Sequence, residues 1–81
     1  MKYIVTFYSH FGAIRFKKFC DTKNILAKVM PVPRNLSSSC GTCVKCDGEL
    51  IASTEIHTDE VEQIVEIMKT GYRIIYQAEN S

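Results

Sequence analysis

The sequence predicts a protein of the α/β class, more closely an α+β sandwich. One four-stranded sheet would carry two helices on one of its faces. Three observations predict it. The spacing of apolar residues switches between two and about 3.6, the periods of strand and helix. The first and last regular segments both read as strands. Turn residues divide the chain into six segments in the order β-α-β-β-α-β.

Residues 2–8 form the first expected strand. Tyr3, Val5 and Phe7 take one face, and Ile4, Thr6 and Tyr8 the other. Both faces are largely apolar, which predicts a central strand covered on at least one side. Ser9 is a good N-cap for a helix running to about residue 23. On it Ala13, Phe16 and Cys20 recur at i, i+3 and i+7, flanked by Phe19, while Arg15, Lys17 and Lys18 fall mostly elsewhere. Asn24 suits the turn that ends the helix.

Residues 25–32 read as a second strand. Pro31 and Pro33 remove ladder donors, so this strand must be an edge or leave the sheet there. Residues 34–41 form a loop. Residues 42–46 read as a short third strand, closed by the turn signal Asp47-Gly48. Residues 49–52 could return as a hairpin arm. Thr58 then caps an expected second helix, with Asp59 and Glu60 in its first turn. Val61, Ile64, Val65 and Met68 supply i, i+3, i+4, i+7 spacing, and Gly71 closes the helix as a C-terminal cap. Residues 72–78 form the last strand, with Tyr72, Ile74 and Tyr76 on one face and Arg73, Ile75 and Gln77 on the other. Right-handed crossovers fold this order into a ferredoxin-like, split βαβ arrangement.

Eighty-one residues fit a single domain, 1–81, and 46% hydrophobic residues are enough for a modest core. The net charge is +1, and the ten Lys and Arg are scattered, Lys17-Lys18 being the only adjacent pair. That pattern predicts neither nucleic-acid nor membrane binding. No apolar run reaches transmembrane length, and the N-terminus lacks the features of a signal peptide. A cytoplasmic protein with free thiols is the resulting expectation. An open four-stranded sheet would leave edges through which a homodimer could form.

Three of the four cysteines, Cys40, Cys43 and Cys46, lie within seven positions, in a stretch (36–46) that follows the segment Pro31-Val32-Pro33-Arg34. As a metal site, Cys40-x-x-Cys43-x-x-Cys46 matches the first three ligands of a bacterial ferredoxin cluster. The fourth cysteine and its proline should then occupy positions held by Leu50 and Ile51. A zinc site would need Cys20, His57 or Asp47 as the fourth ligand. An extended segment puts Cys43 and Cys46 on opposite faces and separates Cys40 from Cys46 by roughly 20 Å at about 3.3 Å per residue. As a redox pair, Cys40-Gly41-Thr42-Cys43 lacks the helix that lowers the thiol pKa in thioredoxin-like sites. A carrier thiol needs only one exposed nucleophile. Cys40 has Gly41 beside it to admit a partner, Ser37, Ser38 and Ser39 to donate hydrogen bonds, and Arg34 as a source of positive charge. The plain alternative is a small residue in a tight loop. Cys20, on the apolar helix stripe, reads as a buried inert thiol, and Cys46 as a residue without chemistry. Ser9-His10 reads as a capping turn, although a helix N-terminus can also bind an anion. No paired carboxylates, Ser-His-Asp set or phosphate-binding glycine motif points to an autonomous hydrolase or kinase.

The stretches YIVTFYSHFGAIRF (3–16), AKVMPVPR (27–34) and LSSSCG (36–41) resemble the selenium/sulfur carrier protein-like family of small bacterial and archaeal domains. The Pro-Arg followed by Ser-Ser-Cys-Gly is the most specific part. The resemblance implies a thiol that holds sulfur or selenium, at the position of Cys40, with Arg34 and Gly41 in the same loop. It assigns nothing to Cys43 or Cys46.

The reading is therefore a carrier or accessory protein rather than an autonomous enzyme. It would hold a persulfide or selenopersulfide on Cys40, pass it between donor and acceptor proteins, and need no metal or cofactor. Cys43 could resolve the persulfide, and Arg34, Ser38, Ser39 and Gly41 would contribute binding groups. The alternatives are a small zinc or iron–sulfur module, or a regulatory interaction domain.

Overall fold

The computed structural model describes residues 2–36, 38–48 and 60–78. Its elements are β1 (Lys2–Phe7), α1 (His10–Thr22), β2 (Leu26–Pro31), β3 (Thr42–Asp47), β4 (Val61–Met68) and β5 (Gly71–Gln77). They form one five-stranded antiparallel sheet in the order β2-β3-β1-β4-β5, with α1 as the one helix among the described residues.

β1 lies in the middle, as its two apolar faces require, and Tyr3 to Phe7 are all buried. Tyr3, Val5 and Phe7 pack beneath α1 with Val44, Cys46, Val61 and Ile64. Ile4 packs on the opposite face with Cys43 and Val65, against Met30, Val32, Leu36, Ile67 and Tyr72. The Ser9 hydroxyl accepts the Gly12 N–H at 3.2 Å and so caps α1. Ala13, Phe16 and Cys20 turn inward, and the Phe16 ring stacks tilted against Phe7 with centroids 5.5 Å apart. Asn24 ends the helix at φ 58°, a conformation Asn tolerates better than most residues. β1 and β2 are parallel, since both run antiparallel to β3 between them. β2 is an edge strand, which accommodates Pro31.

The expected fold class is overturned in the second half of the chain. The segment expected to form a second helix is β4 where it is described, so the sheet has five strands rather than four and the fold is not the two-helix ferredoxin-like one. The expected cap Thr58, the neighbouring Asp59 and the hairpin arm at 49–52 lie outside the described residues. The reason for the change is a β-bulge. Thr6 pairs with Gln63 but Phe7 pairs with Val61, leaving Glu62 as an extra residue opposite β1. Alternation would put residues 61 and 64 on opposite faces. The extra residue brings Val61 and Ile64 to the α1 side together, while Val65 faces the other cluster. Spacing of i, i+3, i+4 thus arises from a bulged strand buried on both faces. Val61, Ile64, Val65 and Ile67 are β-branched, which favours that solution.

Gly71 was expected to cap a helix. Instead it closes the hairpin Met68–Gly71 around Lys69 and Thr70, at φ 143°. A helix C-cap and a tight hairpin both call for glycine with positive φ, so the residue type does not distinguish them. A second bulge at Ile75, between the pairs Ile64–Tyr76 and Val65–Ile74, breaks the expected facing of β5. Ile75 and Tyr76 pack toward the α1-side core and Tyr72 toward the other.

Truncating Phe7, the ring that joins β1 to α1, should cost about 3–5 kcal/mol. The edge-strand change Leu26→Ala should cost less than about 0.5 kcal/mol. Urea unfolding of the two variants checks this, and backbone carbon shifts across residues 61–68 should be those of a strand.

Candidate functional site

Residues 32–41 connect edge strand β2 to β3. Pairing of Pro31 with Thr42, and the Val32 N–H donated to the Gly41 carbonyl at 3.0 Å, pinch the base of the loop. Gly41 takes φ 74°, which an L side chain adopts only with strain, and lets the chain re-enter the sheet directly after Cys40. The Leu36 N–H closes a turn onto the Pro33 carbonyl at 3.0 Å, with Arg34 exposed in that turn.

Two distant elements hold the thiol end of the loop. The bulge residue Glu62 accepts the Ser39 N–H at 3.0 Å with one carboxylate oxygen and the Ser39 hydroxyl at 2.6 Å with the other. On the opposite flank the Thr42 hydroxyl and His10 Nδ1, at the start of α1, share a hydrogen bond of 2.8 Å. Between these anchors the Cys40 thiol donates to the Thr42 carbonyl at 3.4 Å and packs against the α1-side core. The Ser38 Oγ is buried with no hydrogen-bond partner among the described residues.

All four cysteines are free thiols. Cys20, Cys43 and Cys46 are completely buried, whereas Cys40 is partly accessible. Cys43 lies in the core on the face away from α1 and directs its thiol to the Pro31 carbonyl at 3.7 Å. Burial pushes it up to about 11, and neighbouring Cys40 adds to the shift. Cys46 faces the α1 side, so the three clustered cysteines do not converge on one point. Its neighbour is Cys20, on the helix. The hydrogen bond between these two thiols, reinforced by burial, pushes Cys46 up, and the same bond pulls Cys20 down.

The structure therefore brings Ser39, Cys40 and Thr42 together with His10 and Glu62. It sets Cys43 on the other face and Arg34 in the outer turn. Glu62 was missed from sequence because its segment reads as helical. His10 was legible as part of a capping turn that could also bind an anion, without its link to the Cys40 loop. Its Thr42 partner lies 32 positions away and emerges only when α1 packs on β3.

Residues 2–77 match the protein family described as "Putative Se/S carrier protein-like". The chain belongs to this Se/S carrier-like family. No curated protein and no solved structure matches it. The match runs from the start of β1 to the end of β5. Among the described residues of this carrier-like chain, no helix is long and apolar enough to cross a membrane.

Removing the Glu62 carboxylate with Glu62→Ala should raise hydrogen exchange at the Ser39 amide about tenfold, the equivalent of one modest hydrogen bond. Amide exchange followed by NMR measures it. A second expectation concerns alkali. The folded chain keeps a Cys43 proton that the unfolded chain releases from its ordinary value of 9.0. The stability this confers is present below pH 9 and is lost as pH rises toward about 11. Urea midpoints should fall across that window, and Cys43→Val should remove a part of the fall on the order of 2 kcal/mol.

Proposed function

We propose that this chain carries sulfur or selenium on Cys40 between a donor and an acceptor protein. One observation carries the reading: of four free thiols, Cys40 is the partly accessible one, and it sits on a loop clamped from two sides. Family membership supports a carrier role in general, and the loop supports Cys40 in particular.

Loading is a thiol exchange at sulfane sulfur. The Cys40 thiolate attacks the terminal sulfur of a donor persulfide, R–S–SH. The donor S–S bond breaks, R–S⁻ leaves, and Cys40–S–SH forms. With a selenium-loaded donor the same step gives Cys40–S–SeH. An acceptor thiolate then attacks the terminal atom, and the Cys40 thiolate departs. No metal or cofactor enters either step.

The surrounding groups suit the carried anion. The Ser38 hydroxyl, buried without a partner among the described residues, would donate to a terminal sulfur. Gly41 leaves the approach to Cys40 free of a side chain, and the exposed Arg34 can meet a donor's negative charge. Ser39 fixes the loop through Glu62. A resolving step by Cys43 would attack the Cys40 Sγ, expel hydrosulfide and leave a Cys40–Cys43 disulfide. It requires the start of β3 to open, because Cys43 is buried on the other face. Burial thus protects the carried atom from premature loss.

Incubation with a cysteine desulfurase and cysteine, followed by intact mass analysis without reductant, should show a gain of one sulfur atom. Cys40→Ser should abolish the gain and Cys46→Ser should preserve it. No gain in the wild-type protein, or an equal gain in Cys40→Ser, would sink the carrier reading.

A further inference from the structure

On the sheet face away from α1, a cleft of about 490 Å³ runs beside the Cys40 loop. It is lined by Asn35 and Leu36 of the loop, Glu62, Gln63 and Val65 of β4, and Gly71, Tyr72, Ile74 and Gln77 of β5. Three properties narrow what it can hold. The lining includes both ends of β5, so the cleft follows the strand for about 20 Å at roughly 3.3 Å per residue. That length suits an extended chain better than a compact molecule. Its walls combine apolar groups (Leu36, Val65, Tyr72, Ile74) with side-chain amides (Asn35, Gln63, Gln77), a mixture that matches a peptide backbone and its side chains. Ile74 is 56% exposed, an apolar cost that a docked segment would relieve.

The third property is charge. Among the described residues that line it, Glu62 is the one charged side chain. The same carboxylate holds Ser39 on the loop that carries Cys40. A cation reaching Glu62 from the cleft would compete with Ser39 for its oxygens.

We infer that the cleft is the docking groove for an extended segment of a partner protein bearing a lysine or arginine, and that its cation draws Glu62 away from Ser39 and loosens the Cys40 loop. The inference rests on the carrier reading for the identity of the partner as a donor or acceptor. The binding itself is independent of sulfur chemistry. Docking and thiol release then form one event: the loop stays clamped in the free protein and opens when a partner is seated. Glu62 is a positioning residue here, acting on Cys40 through Ser39.

The test is an NMR titration of the full chain with a short blocked peptide of alternating valine and threonine around a central lysine. Two further probes accompany it: the same peptide with glutamate at the centre, and lysine amide alone. The lysine peptide should shift the amides of Tyr72, Ile74 and Gln77 saturably, and should raise exchange at the Ser39 amide. It should bind at least about tenfold more tightly than the glutamate peptide. Ile74→Ser, at an exposed site, should weaken it without moving Ser39 in the free protein, and Glu62→Gln should erase the preference for lysine. Equal binding of both peptides, shifts confined to residues outside the cleft, or an equal response to lysine amide would each overturn the proposal. If the peptide docks while Cys40 takes up no sulfur, only the carrier reading fails. If Cys40 loads while the cleft stays silent, only the docking inference fails.

Discussion

β1 and β4 meet with one residue too many, and Glu62 is that residue. On the β5 side it keeps its place, since its carbonyl accepts the Ala78 N–H at 2.9 Å. On the β1 side it has no partner, and the ladder kinks around it. The kink does two things at once. It brings Val61 and Ile64 onto the same side of the sheet, where they complete the core under α1. It also frees the Glu62 side chain from the regular in-and-out alternation, and the carboxylate reaches the Cys40 loop, 23 positions earlier in the chain. Bulges commonly re-aim side chains beside functional sites. Here the re-aimed group organises the loop.

The four thiols sort themselves by the same sheet. β3 alternates, so Cys43 and Cys46 enter opposite cores and each becomes inaccessible. α1 delivers Cys20 to Cys46, making a buried pair of hydrogen-bonded thiols. Cys40 stands just before the strand begins, where the chain is still a loop and the backbone has left the core. A dense cysteine cluster in the sequence therefore becomes one accessible thiol and three sequestered ones. Burial makes the Cys43 and Cys46 thiolates expensive, and Cys40 is left as the partly accessible thiol of the four.

The first half of the chain was legible because its signals are local. Alternation on both faces marked β1 as central, Ser9 was a good cap, Ala13, Phe16 and Cys20 marked the buried stripe, and the prolines marked the edge strand. The opposite facing of Cys43 and Cys46 also followed from strand period alone. The second half was not legible in the same way. A bulged strand buried on both faces and an amphipathic helix produce the same i, i+3, i+4 spacing. A glycine with positive φ serves a helix end and a hairpin equally. The β-branched run from Val61 to Ile67 was the discriminating clue, but propensity is a weaker signal than periodicity until the neighbouring strand is known.

By itself, the sequence determined a central first strand, a capped helix with Cys20 buried, an edge strand ended by proline, and the opposite facing of Cys43 and Cys46. Each rests on interactions between residues a few positions apart. Only the tertiary structure decided that residues 61–68 are a strand, that the sheet has five strands, and that Glu62 and His10 grip the two flanks of the Cys40 loop. Those outcomes depend on which strand lies beside β1 and in what register. A one-residue offset in pairing changes the face of every side chain beyond it, and no local pattern records that offset.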